Sequence, residues 1–239
     1  MKKILLSSLT ATALALGTSN AQLINDALND IDPGISTGGG TLDIVSMEVS
    51  TTSTDVTFGL TVNGDISTTD WGNFMIGIAT GNNAGTTTGN AWARPINLDS
   101  PIGGMDYWVG SWINAGGGAQ LWIYDGAAWN ELTLSAPTLS LTPGANSLIT
   151  YTMPLPSLGI TAEQTIYFDA YSSGGGAGDG AVDALSNPNI TITDWGNSYT
   201  SSTVDGISSA TVPEPSTYAL LTLGAIALGG YVVRRRARK

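Results

Sequence analysis

The stretch "TDVTFGLTVNGD", from Thr54 to Asp65, sets the terms for what this chain can fold into. Val56, Phe58, Leu60 and Val62 point one way, Thr57, Gly59 and Thr61 point the other, and Asn63-Gly64 supplies a turn. A period of two is a strand with one buried face ending at a hairpin; wound as a helix, the same set would scatter around the circumference. Further strand candidates are "GGTLDIVSMEVSTT", "NFMIGIAT", "MDYWVGSWI", "AQLWIYDG", "AWNELTL", "NSLITYTMP", "TIYFDAY" and "NITIT". Gly, Pro, Asn and Asp punctuate them, and no helical pattern of ten residues intervenes. The expected fold is all-β: an antiparallel, jelly-roll-like β-sandwich.

Two of these segments are apolar on both sides. In "DYWVGSW", Tyr107, Val109 and Ser111 oppose Trp108, Gly110 and Trp112; in "QLWIYDG", Leu121 and Ile123 oppose Trp122 and Tyr124. Such strands are either central in the sheet or display one aromatic face for binding. Thr80 to Pro95, Ile113 to Gln120 and Tyr171 to Asn189 read as loops, the last of them long and rich in glycine. The pentapeptide "TDWGN" occurs at Thr69–Asn73 and again at Thr193–Asn197. Its flanks differ, so it reads as a turn used twice, in which Asp makes an Asx-type bond and Trp caps an end of the core.

The two ends of the chain stand apart. Lys2 and Lys3, an apolar run from Ile4 to Gly17 and small residues at Ser19 and Ala21 form a secretory signal pattern over 1–21, with cleavage expected after Ala21. This implies the Sec translocon and signal peptidase as partners. The body is read as 22–200, followed by a polar linker at 201–212. Between residues 22 and 211 Arg94 is the one basic residue, against eighteen acids, which leaves a formal charge of −17. A surface of that sign repels phosphate backbones, so nucleic acid is excluded as a partner.

The chain has neither cysteine nor histidine. Disulfides, Cys/His zinc sites and histidine-based triads are therefore absent, and catalysis would have to rest on paired carboxylates. Hard oxygen donors suit calcium. Asp30 and Asp32 in "NDIDPG", with Asp179 and Asp183 in "GDGAVD", are candidate ligands for a structural Ca²⁺, weighed against ordinary turn and surface carboxylates. A glycan patch would need an exposed ring beside polar groups, and Trp92 with Arg94 in "AWARP" is the candidate pair. Arg94 equally suits an internal bond that fixes its loop.

Tyr218 to Val233 is sixteen residues without a charge. As a helix it would rise about 24 Å against a hydrocarbon core of about 30 Å, a gap that snorkelling arginines and local thinning close. Arg234, Arg235 and Arg236, continued by Arg238 and Lys239, orient such a transmembrane helix at 218–233 with its basic end in the cytoplasm. "VPEPST", the apolar span and "RRRARK" together resemble the PEP-CTERM protein-sorting family. The resemblance covers 213–239 and rests on Pro213, Glu214 and Pro215, the span and the arginines. It implies export, handling by an exosortase-type membrane protease near Pro-Glu-Pro, and association with exopolysaccharide or matrix. "DWGNFMIGI", "WARPI" and "GMDYWVGSW" make the body resemble sandwich domains found ahead of such tails, some of them similar to carbohydrate-binding modules. The expectation is a non-enzymatic surface or matrix protein; a carbohydrate-binding module and a carboxylate-based glycan hydrolase are its alternatives.

Overall fold

The computed structural model describes residues 20–161, 164–201 and 208–211. Nearly all of the signal segment and the whole of the sorting signature, the span at 218–233 and the arginine cluster lie outside these residues. Among the described residues no helix is long and apolar enough to cross a membrane.

Among the described residues fourteen strands follow in chain order: β1 (Asn20–Asn25), β2 (Ile44–Thr51), β3 (Asp55–Val62), β4 (Asn73–Ala79), β5 (Ile96–Asn97), β6 (Tyr107–Trp112) and β7 (Gly118–Tyr124). The remainder are β8 (Trp129–Glu131), β9 (Thr138–Thr142), β10 (Ser147–Pro154), β11 (Thr165–Ser173), β12 (Asp183–Ala184), β13 (Tyr199–Thr200) and β14 (Ser208–Thr211). One sheet runs β1-β2-β3-β10-β9, the other β12-β11-β4-β6-β7-β8, with β14 also paired to β11. Every ladder in these two sheets is antiparallel. The short β5 and β13 form a separate parallel pair.

The alternation in β3 becomes burial: Val56, Phe58, Leu60 and Val62 are sealed, while Thr57 faces outward and bonds Thr152 of β10 at 3.2 Å. Facing it across the core are Phe74, Ile76, Phe168 and Leu121 of the second sheet. Phe58 meets Phe168 edge-on at 5.4 Å between ring centres, and the Tyr151 hydroxyl reaches Ser111 Oγ at 2.7 Å. These contacts join the two sheets into a sandwich.

The second sheet is covered on its other face as well. Trp108 stacks on Tyr171 at 6.0 Å, Tyr199 closes on Tyr171, and Met105 and Leu98 lie against Gly77, where a Cβ would strike the Met105 sulfur. The cover is made by the long loops on either side of β5 and β13. Central burial thus explains the doubly apolar strands near β4, whereas toward β7 and β8 the same face stays half open.

Three expectations change. Asn63-Gly64 closes no hairpin: β3 pairs with β2 and β10, and the chain crosses from it to β4 of the other sheet. "NITIT" is not a strand: Ile192 is buried and Thr191 Oγ1 donates to the Ala181 carbonyl at 2.7 Å, so the segment is held as loop cover without a ladder. The stretch 201–212 is not wholly a linker, because β14 pairs with β11 from Thr165↔Thr211 to Phe168↔Ser208. At the other end Asn20 and Ala21 already pair with Thr51 and Ser50, so cleavage after Ala21 would leave Gln22–Asn25 to hold β1.

Candidate metal centre

The turn after β1 carries "NDALND", in which Asn-Asp recurs after four residues. Asn29 adopts φ of 63°, a left-handed conformation that Asn tolerates better than most residues. Its N–H donates to both carboxylate oxygens of Asp43 at 3.2 Å. The turn folds Asp26 and Asp30 back toward Asp183 of β12, and one carboxylate oxygen from each of the three lies within 4.8 Å of the others.

Their surroundings do not neutralise them. Asp183 is 1% exposed; one of its oxygens accepts from the Ile44 N–H at 2.6 Å and the other from the Ala184 N–H at 2.8 Å. Asp26 Oδ1 accepts from the Ala27 N–H at 2.8 Å, but its Oδ2 and both oxygens of Asp30 are buried with no hydrogen-bond partner. Arg94, the body's single cation, is occupied elsewhere. Burial and mutual repulsion push the Asp26 carboxyl up to about 8 and burial pushes Asp30 up to about 6. Asp183 is raised well above the ordinary carboxylate range, chiefly by burial and then by Asp26 and Asp30. Asp169 of β11, fully buried with one oxygen unpartnered, is pushed by burial to about 7 and adds to the repulsion at Asp26.

Orphaned carboxylate oxygens around one point are the donor set of a hard divalent cation. Calcium takes six to eight oxygens at about 2.3–2.6 Å, so ligands on opposite sides of the ion stand up to roughly 5 Å apart. The 4.8 Å grouping fits that span.

Of the four aspartates singled out from sequence, the structure gathers Asp30 and Asp183 and leaves two apart. Asp32 caps its own turn, accepting from the Gly34 N–H at 2.7 Å. Asp179 does the same with the Gly176 N–H at 2.8 Å. Asp183, four residues on, is instead drawn into β12 and buried. The member of the cluster missed in sequence is Asp26, and the repeated Asn-Asp was its available signal.

Trp92 and Arg94 stay together, the guanidinium carbon 5.6 Å from the centre of the indole ring, but they differ in exposure. Arg94 is 5% exposed, and its guanidinium donates to Ser173 Oγ at 2.8 Å and to the carbonyls of Asp179 at 3.0 Å and Gly174 at 3.2 Å. It pins the glycine-rich loop after β11 and is not available at the surface. Trp92 remains half exposed, its indole N–H donating to Gln120 Oε1 at 2.9 Å. The repeated pentapeptides converge: Trp71 and Trp195 meet edge-on at 6.3 Å. In the second copy Asp194 makes the expected Asx bond to the Gly196 N–H at 3.0 Å.

Residues 211–237 match the PEP-CTERM protein-sorting motif. The chain therefore carries a C-terminal sorting signal of the kind recognised by exosortase-type enzymes, which implies export and a membrane-associated tail. No curated protein matches the chain.

Proposed function

We propose that this chain is an exported, non-catalytic cell-surface or matrix protein: a calcium-stabilised sandwich delivered by its signal segment and sorted through its tail. The observation that carries the reading is the sorting motif at 211–237, which begins where the last strand of the sandwich ends at Thr211. Pro213, Glu214 and Pro215 follow within four residues of β14, so recognition takes place close to the folded body in sequence. The span at 218–233 holds the translocated chain in the bilayer, the arginines keep their end cytoplasmic, and the exosortase-type enzyme acts on the outer side. Exopolysaccharide is the surrounding material.

A non-catalytic body is supported by the absence of histidine and cysteine and by the character of its convergent acids, which sit buried at turn and strand ends. Calcium is supported by the three oxygens of Asp26 and Asp30 that lack partners.

Intact-mass analysis tests the sorting step. In cells with the exosortase-type enzyme the mature protein is expected to begin at Gln22 and to lack the span and arginines. In cells without it, those residues are retained. A tail of the same mass in both strains defeats processing while leaving the anchor standing.

A further inference from the structure

On the half-open outer face of the second sheet, two tryptophans are seated on glycines. A Cβ on Gly110 of β6 would lie 2.3 Å from Cζ2 and 2.4 Å from Cε2 of Trp92, so that ring occupies the space a side chain would fill. Across the ladder the same holds for Gly118 of β7 and Trp112, at 2.2 and 2.5 Å. Gly110 and Trp112 are two residues apart on one strand, so the two seats are separated by roughly 7 Å along the sheet. Gln120, opposite Gly110 in register, accepts from the indole N–H of Trp92 at 2.9 Å and from that of Trp122 at 3.4 Å. All three rings are partly buried, each with part of its surface open, and the Arg94 guanidinium lies 5.6 Å from the centre of the Trp92 ring. Their polar N–H groups are directed at a protein acceptor or their rings rest on backbone, which leaves aromatic surface to solvent.

We infer that this face, with Trp92, Trp112 and Trp122 set around Gln120, is a stacking platform for a neutral glycan chain. Three observations choose the occupant. The exposed surface is aromatic, suited to the C–H faces of pyranose rings, and Glu131, which faces Trp122 across the β7–β8 ladder, is an exposed acceptor for hydroxyl donors. The sole basic side chain of the body is buried, so an anionic polysaccharide meets a field of −17 with no exposed cation to pair with. Seating on glycine also fixes the rings before binding, which lowers the ordering cost.

The surface reading supplies only the place where such a glycan is met; binding is independent of tail processing and fails separately from it. The test uses the exported full chain in affinity electrophoresis with hydroxyethylcellulose, with alginate as the anionic comparison, alongside acrylamide quenching of tryptophan fluorescence. Retardation by hydroxyethylcellulose and shielding from acrylamide are expected, without retardation by alginate. Trp92→Ala and Trp112→Ala are each expected to weaken binding at least about tenfold, as for anchors at the centre of an interface, while Trp92→Tyr and Trp112→Tyr stay close to wild type. Absence of both retardation and shielding overturns the platform, as does wild-type binding by folded alanine variants or preference for alginate. Shielding is read on the unaltered protein, so it decides the matter even where an alanine variant does not fold.

Discussion

Removing calcium with a chelator at about pH 7.5 is expected to lower the melting temperature by roughly 5–10 °C. A ligand present at a hundred times its Kd stabilises the native state by about 2.7 kcal/mol, and each kcal/mol moves the midpoint of a domain this size by about 2–4 °C. The cause is the cluster of Asp26, Asp30 and Asp183, in which one oxygen of Asp26 and both of Asp30 are buried without a partner.

The chelated protein carries a second signature, in pH. Burial raises the carboxyls of Asp26, Asp30 and Asp169 from 3.8 to about 8, 6 and 7. The folded state then binds more protons than the unfolded state over that interval, so stability present below pH 3.8 is lost as pH climbs through about 6 to 8. Without calcium the melting temperature is expected to fall from about pH 4.5 to pH 8; with calcium the fall is much reduced, because the ion replaces the protons. Asp65 and Asp125, held low by turn hydrogen bonds, act in the opposite sense only on the acid side of 3.8. Asp30→Asn separates the causes, because neither oxygen of Asp30 accepts a hydrogen bond that the amide would lose. It removes one buried charge, so the chelated variant is expected to melt at or above the chelated wild type, while the gain on adding calcium largely disappears. A wild-type midpoint indifferent to both chelator and pH would falsify the metal centre.

Arg94→Met is expected to cost about 3 kcal/mol, roughly 6–12 °C in melting temperature. Three donors to Ser173, Gly174 and Asp179 are lost together, and the acceptors are left inside the cover of the second sheet. Relief of the arginine's own burial, which lowers its pKa, offsets part of that loss. Arg94→Lys is expected to recover little, since one ammonium cannot reproduce the fork that reaches a hydroxyl and two carbonyls at once. Limited proteolysis gives a local reading: cleavage in the loop at 174–180 is expected to rise before the sandwich itself melts. A melting curve and cleavage pattern matching wild type in Arg94→Met would remove the pin.

The sandwich was legible because burial on one side of a strand leaves a trace of period two, as in Val56, Phe58, Leu60 and Val62. The sorting tail was legible because its signature, apolar segment and basic cluster are contiguous and can be read along one line of sequence, where they match the sorting motif at 211–237. The elements that escaped notice are β1, β5, β9, β12, β13 and β14: β5, β12, β13 and β14 have two to four residues, carry no periodicity of their own and form only by pairing, while β1 and β9 are the two edges of the first sheet.

Sites were less legible than strands. Sequence neighbours suggested Asp179 with Asp183 and Trp92 with Arg94, yet in both pairs one member turns inward and the other does not. Residues two or four apart share a neighbourhood but not an orientation, and in a loop no fixed period assigns them a face. The sequence alone determined the all-β class, the acidic and cysteine-free character and the sorting signal, because each follows from local pattern or composition. Only the tertiary structure decided that Asp26 and Asp30 meet Asp183 from more than 150 residues away, that Arg94 is a pin, and that Trp92 shares a sheet face with Trp112 and Trp122. Those groupings depend on which strands pair and which loop folds over which face, and that choice is made by the packing of the whole core.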